Sequence, residues 1–217
     1  MPRPRRLSDE QLLDMVLGLV HAQGPDAASF GAVAKISGLS GSTLVQRFGT
    51  KAAMLRACLL RAWDRLDMET DRLIQAVPET PEGAIDLLAG LSKDYGEDAA
   101  SYAEGLLVLR EDLRDPALRA RGAAWGNTLA AALDQCLGAQ GKTHLGRLML
   151  SQWQGCLLWW GFEPQGSVED HVRGELKVFL GSAASFGATW PPPAPAPALH
   201  RPPSAANPPR NPRSRQP

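Results

Sequence analysis

Residues 37–51, SGLSGSTLVQRFGTK, gather small hydroxyl, amide and cationic side chains into one short segment. If Ser40 caps a helix here, Leu44 and Phe48, four residues apart, both point to a core. The other side then carries Gly41, Ser42, Thr43, Gln46 and Arg47. A slim first turn followed by hydrogen-bonding side chains suits a helix that lies in the major groove of DNA and reaches base edges. Gln pairs bidentately with adenine and Thr offers a hydroxyl and a methyl, so Ser42, Thr43 and Gln46 are candidate base readers. Arg47 could reach a guanine or a phosphate; its place near the end of the segment favours a phosphate. Lys51 falls in the first turn of the next helix, where free N–H groups and the helix dipole already favour an anion. A solvated surface lysine is the alternative for it. Ser29 and Ser40 are caps first; any phosphate contact from their hydroxyls is secondary.

The elements that must hold this segment are helical in period. Phe30, Val33 and Ile36 recur at intervals of three and predict an apolar face on a preceding short helix. Ala34 allows a close helix crossing, and Gly38 allows the backbone angle of a three-residue turn. Hydrophobic pattern alone also fits an ordinary helical hairpin; the order Ala34, Gly38, Leu44 favours the DNA-reading version. Upstream, Ser8 and Gln11 form a capping box for a helix with Leu12, Leu13, Val16, Leu19 and Val20 in one stripe, stopped by Gly24–Pro25. Downstream, Thr50 caps a long helix from Lys51 to about Ala76, which Pro78 ends. Further helices are predicted from Thr80–Pro81, through Tyr102 to Leu113, from Asp115–Pro116 to about Leu137, from Thr143 to Phe162, and from Ser167. The expected class is all-α. Residues 191–217 hold eleven prolines, four arginines and no acidic residue, a composition that cannot bury enough apolar area to order itself, so a disordered Pro/Arg-rich tail is expected.

Lys plus Arg equals Asp plus Glu at 23 each, but the charge is unevenly spread. Through Arg61 eight basic residues face four acidic ones, a net of +4, whereas residues 62–190 carry 11 basic and 19 acidic, a net of −8. A phosphate-attracting N-terminal third on an acidic remainder fits a DNA-binding head on a body that avoids DNA. Cys58, Cys136 and Cys156 lack metal-ligand spacing and read as buried thiols. His21, His144, His171 and His200 are scattered, with no HExxH, phosphate-cradling glycine loop or Gly-x-Ser-x-Gly elbow. Glu169–Asp170–His171 is a tight acid–base group, but it lies near a helix start, where acids are expected. No catalytic residue, cofactor or metal is expected. No secretory signal is read after PRPRR, and the apolar run Cys156–Trp160 is too short to cross a membrane, so a soluble cytoplasmic chain is expected.

The stretch from Val33 to Lys51 resembles the signature of the TetR family of bacterial transcriptional regulators. Val33–Ala34, Ser37–Gly38, Leu39–Ser40, Phe48 and Lys51 stand at the family's intervals, and DLRDPALRAR at 112–121 adds a less specific likeness. The match spans the first helix through the start of the fourth, about a quarter of the chain. One position departs: the family's usual tyrosine, whose hydroxyl meets a phosphate, is Val45 here, which implies weaker or differently oriented binding.

The resemblance implies a helix-turn-helix, three-helix DNA-binding domain at 1–50, a connecting helix at 51–78, and an effector-binding and dimerisation domain at 79–190. It implies a ligand-responsive repressor that binds a palindromic operator in double-stranded DNA as a homodimer. The last two helices are the expected dimer face, since the 143–162 helix is too apolar for solvent and Gly155, Gly161, Gly174 and Gly181 permit close approach; an internal core helix is the alternative. An unidentified small-molecule effector would meet Tyr102, Trp125, Trp153 or Trp159, although aromatics at helical spacing more often fill cores. Asp94, Glu97, Asp98, Glu104, Glu111 and Asp112 hint at a cationic ligand or form a solvated face. The competing function is a helical ligand- or protein-binding module without sequence-specific DNA binding.

Overall fold

The computed structural model describes residues 7–95, 98–139 and 144–189. Among these residues the chain forms nine α-helices and no strand. They are α1 (Asp9–Gln23), α2 (Phe30–Ser37), α3 (Gly41–Phe48), α4 (Lys51–Ala76), α5 (Pro81–Ser92), α6 (Ala99–Arg114), α7 (Pro116–Cys136), α8 (Leu145–Phe162) and α9 (Val168–Thr189). Single 3-10 turns, Pro25–Ala27 and Lys93–Tyr95, interrupt the connections.

Local chemistry sets most of these boundaries. The side chains of Ser8, Ser29, Ser40, Thr50, Thr80, Asp98 and Asp115 each accept a backbone N–H from the first turn of the helix they precede. Ser8 and Gln11 do so reciprocally, as a capping box. Gly38 closes α2 in the left-handed conformation at φ 71°, which makes the tight turn into α3. The predicted start of α8 at Thr143 and the tail at 191–217 lie outside the described residues.

Two apolar clusters organise the packing. The first takes Leu12, Val16 and Val20 from α1, Val33 from α2, Leu44 from α3, and Met54 and Cys58 from α4, with Val108 of α6 packed against it. The second takes its mass from α5, α7, α8 and α9, including Leu88, Leu133, Met149, Trp153, Trp160 and Leu176. The long α4 serves both, since Leu66, Leu73 and Ile74 pack against the second cluster. One expectation is corrected: Ile36 is 45% exposed and is not part of the apolar face of α2. Each step of three residues turns about 300° in an α-helix, so two steps carry Ile36 roughly 120° away from Phe30.

The α7–α8 contact is close enough to require glycine. A Cβ at Gly146 would stand 2.1 Å from the Ala130 carbonyl oxygen, while the Gly146 N–H donates to Asp134 Oδ1 at 2.7 Å. Gly146→Ala must therefore push the two helices apart, and a loss of about 3 kcal/mol is expected in urea unfolding. Gly105→Ala is the control, because a Cβ there meets nothing within 4 Å and an exposed helical Ala stabilises by up to about 1 kcal/mol over Gly. Equal midpoints for the two variants would contradict the close contact.

Candidate nucleic-acid interface

The α2–α3 pair buries one side of α3 and turns the other outward. Leu44 is fully buried and Phe48 packs against the first cluster, so the opposite side of α3 faces out. Gly41, Ser42, Val45, Gln46 and Arg47 are exposed, and a Cβ at Gly41 would meet nothing within 4 Å. The fold itself thus places no steric demand for glycine at that first helical position. Around the cap, the Ser40 hydroxyl bonds to Ser42 Oγ and Thr43 Oγ1, each at 2.8 Å, and accepts the Thr43 N–H at 3.2 Å. The hydroxyls of Ser42 and Thr43 are therefore tied back to Ser40, and Gln46 presents the long unengaged polar group of α3. Val45, at the position where the family resemblance implies a phosphate-contacting hydroxyl, is 48% exposed and has none to give.

Both cations assigned to phosphate hold positions across the helices. Arg47 Nη1 donates to the Leu7 carbonyl at 2.8 Å and to Asp9 Oδ1 at 3.1 Å, joining the last turn of α3 to the start of α1. Lys51 Nζ donates to the Asp26 carbonyl at 2.9 Å, joining the first turn of α4 to the turn after α1. No local pattern could announce these links, since the partners stand 38 and 25 residues apart. Lys35, on α2, is exposed and takes part in no ion pair among the described residues.

The α1–α4 packing behind this face is fastened by charge. Arg61 grips Asp14 through Nε at 2.6 Å and Nη2 at 3.1 Å, and Arg65 reaches the same carboxylate at 2.6 Å. The hydrogen-bonded Arg61 guanidinium holds the Asp14 carboxyl below its ordinary 3.8. Beside them, burial pushes the Cys58 thiol up to about 12, leaving it unreactive. Arg56 of α4 meets Asp115 at 2.5 Å, and Trp63 Nε1 donates to Asp112 Oδ1 at 3.1 Å, so α4 is also tied to α6 and α7.

The four candidate ligand aromatics do not line one cavity. Trp153 is 1% exposed, with its N–H on Ser92 Oγ at 2.8 Å, and Tyr102 is 7% exposed. Trp125 stands 6.3 Å from Trp153, centroid to centroid, and lines a cleft of about 190 Å³ with Asp67, Thr70 and Arg121. Trp159 lies apart, 67% exposed and against Phe162, at a cleft of about 250 Å³ with Gln152, Cys156, His171 and Glu175. Gly161 is corrected too: a Cβ there would stand 2.6 Å from the Tyr102 ring, so its absence serves packing within the chain. Gly155 and Gly174 do stand open, beside exposed Leu148, Leu158, Trp159 and Phe162 on α8 and Val178 on α9. Of the acidic cluster, Asp98 caps α6, Glu111 pairs with Arg110 and Asp112 holds Trp63. The side chain of Asp94 and residue Glu97 lie outside the described residues.

Among the described residues no helix is long and apolar enough to cross a membrane, and no group of three potential ligands could hold a metal ion.

Neither a family model nor a curated protein matches the chain by sequence. Solved structures do match the fold. The TetR family transcriptional regulator PfmR from Thermus thermophilus is similar over 79% of this chain and 97% of its own, at 21% identity and a TM-score of 0.53. A TetR-like transcriptional regulator from Rhodococcus sp. RHA1 is similar over 83% of this chain and 98% of its own, at 17% identity and a TM-score of 0.59. The multidrug binding protein EbrR, complexed with proflavin, is similar over 78% of this chain and 98% of its own, at 21% identity and a TM-score of 0.55. The chain has the all-helical fold of TetR-family transcriptional regulators.

The Asp14 clamp carries a pH dependence with a definite sign. A carboxylate whose pKa falls on folding stabilises the fold above its unfolded value and loses that contribution as pH drops through the lower folded one. Asp14→Asn is expected to lower the thermal midpoint by about 2 °C at pH 7, because the partners are largely solvated. The gap should persist to about pH 4 and close below it. A gap that stays constant down to pH 2 would refute the ionic origin.

Proposed function

We propose that this chain is a TetR-type transcriptional regulator, a ligand-responsive repressor that binds a palindromic operator as a homodimer. The observation that carries the reading is the outward face of α3, Gly41–Ser42–Val45–Gln46, held on a buried Leu44 within a regulator fold. Residues 1–50 form the DNA-binding head, 51–78 the connecting helix and 79–190 the effector and dimerisation body. The two apolar clusters support that division, with α4 shared between them. On DNA, α3 enters the major groove, Gln46 reads a base edge, and Ser42 and Thr43 follow where their bonds to Ser40 are exchanged. Arg47 and Lys51 meet phosphates, and Ser40 and Gly41 let the backbone approach closely.

A single helix of this kind covers few base pairs, so specificity requires a second copy on a symmetric site. The exposed Leu148, Leu158, Trp159, Phe162 and Val178 supply an apolar face for it on α8 and α9. Effector binding in the body draws support from the proflavin complex of the similar fold and from the aromatic groups around Trp125. Ligand occupancy would favour a body geometry in which the two heads no longer match successive major grooves. Repression is what the family resemblance implies.

The test is binding-site selection from random duplex DNA, followed by salt titration of the selected complex. Lys51→Ala is expected to weaken all sequences alike and reduce the salt slope by about 1, whereas Gln46→Ala changes the selected sequence. Identical preferences for Gln46→Ala and wild type would remove Gln46 as a reader. If no salt-dependent complex forms, the body acts on a ligand or protein without DNA.

Sedimentation tests the assembly. Wild type is expected to be dimeric at micromolar concentration, and Trp159→Glu to be monomeric, because burying an unpaired carboxylate costs several kcal/mol. A monomeric wild type would overturn the homodimer.

A further inference from the structure

The start of α1 and the end of α3 are joined by a contact that involves only one edge of the Arg47 guanidinium. Nη1 makes both bonds, to the Leu7 carbonyl at 2.8 Å and to Asp9 Oδ1 at 3.1 Å. Nε and Nη2 have no partner among the described residues, and the side chain keeps 27% of its surface in contact with solvent. A guanidinium carries five N–H donors in a rigid plane, so fixing one nitrogen aims the rest. Arginine otherwise disperses over many rotamers, and immobilising such a side chain is a cost that binding must overcome. Asp9 sits in the first turn of α1, where the helix dipole already favours a carboxylate, and it is itself 66% exposed. As a stability element such a solvated pair is worth little. Its consequence lies in orientation.

Resting on the DNA-binding reading above, we propose that Asp9 is a positioning residue for DNA recognition: it holds Arg47 by Nη1 so that Nε and Nη2 are presented to a backbone phosphate. The pair works against a rival effect of opposite sign. A bare carboxylate near a phosphate repels it, and if Asp9 merely competed with DNA for Arg47, removing it would strengthen binding. The two effects separate by substitution. Asp9→Asn keeps the Oδ1 acceptor and discards the charge, whereas Asp9→Ala discards both.

The experiment measures affinity and salt slope on the duplex selected by wild type, with thermal midpoints recorded for each variant. Asp9→Ala is expected to bind roughly 3–10-fold more weakly, with its salt slope reduced toward that of Arg47→Ala, by about 1. Asp9→Asn is expected to restore wild-type affinity within about twofold, since the acceptor is retained. A purely structural role would lower the midpoint and leave the slope unchanged. Asp9→Ala binding as tightly as wild type or more tightly, with an equal or steeper slope, would overturn the proposal. Failure of wild type itself to bind any duplex would instead remove the DNA-binding reading on which it rests.

Discussion

The arrangement depends on one unbroken helix that must satisfy two cores at once. At 26 residues, α4 is about 39 Å long, enough to cross from one apolar cluster to the other. Met54 and Cys58 are fully buried in the first cluster, while Leu66, Leu73 and Ile74 lie along the second. A helix of this length without Pro or Gly transmits rotation and tilt rather than absorbing them. Its start is fixed by Thr50 Oγ1 on the Ala53 N–H, and Lys51 is anchored on the Asp26 carbonyl. The rim of α3 therefore inherits its position from contacts made along the whole of α4.

The second consequence is that α6 and α7 brace this helix. Val108 enters the first cluster from α6, and Asp112 of α6 accepts the Trp63 N–H. From α7, Arg121 pairs with both Asp64 and Asp67, and Trp125 donates to Thr70 at 2.9 Å. Trp63 and Trp125 pack with their rings tilted, centroids 5.8 Å apart, Trp125 reaches Trp153, and Tyr95 links Trp153 to Tyr102. Rings packed in series have few ways to shift independently, because interiors are close-packed and neighbours must move together. The aromatic residues that sequence composition offers as ligand contacts are, for Trp153 and Tyr102, parts of this framework.

How much of this is legible in the sequence follows the range of each interaction. The capping box at Ser8, the caps at Ser40 and Thr50, the turn at Gly38 and the Thr80–Pro81 and Asp115–Pro116 starts are set within a few residues, and each stands where expected. The inward Leu44 and outward Gln46 also follow from local periodicity. Ile36 departs from its expected face because a spacing of three drifts off one side within two turns. Gly161 looks outward in the sequence because nothing local reveals that Tyr102 lies across from it. Arg47 and Lys51 look like free cations for the same reason; their partners arrive from distant parts of the chain.

That last point changes what the basic N-terminal third can do. Arg47 is set against Asp9, Arg56 against Asp115 and Arg61 against Asp14, so three cations of this region are already paired, and Arg65 beyond it shares Asp14. Long-range attraction depends on net charge, and pairing leaves that sum unchanged beyond about a Debye length. At contact distance the count differs, because a guanidinium engaged by a carboxylate must rearrange or use its remaining donors to meet a phosphate. Arg61 has both Nε and Nη2 committed to Asp14, whereas Arg47 has only Nη1 committed. Two arginines in the same short region are thus committed differently: the first binds Asp14 through two nitrogens and fastens α1 to α4, while the second braces α1 through one. The count of eight cations through Arg61 therefore overstates the donors free at contact, and geometry, rather than the total, decides which of them can meet an anion.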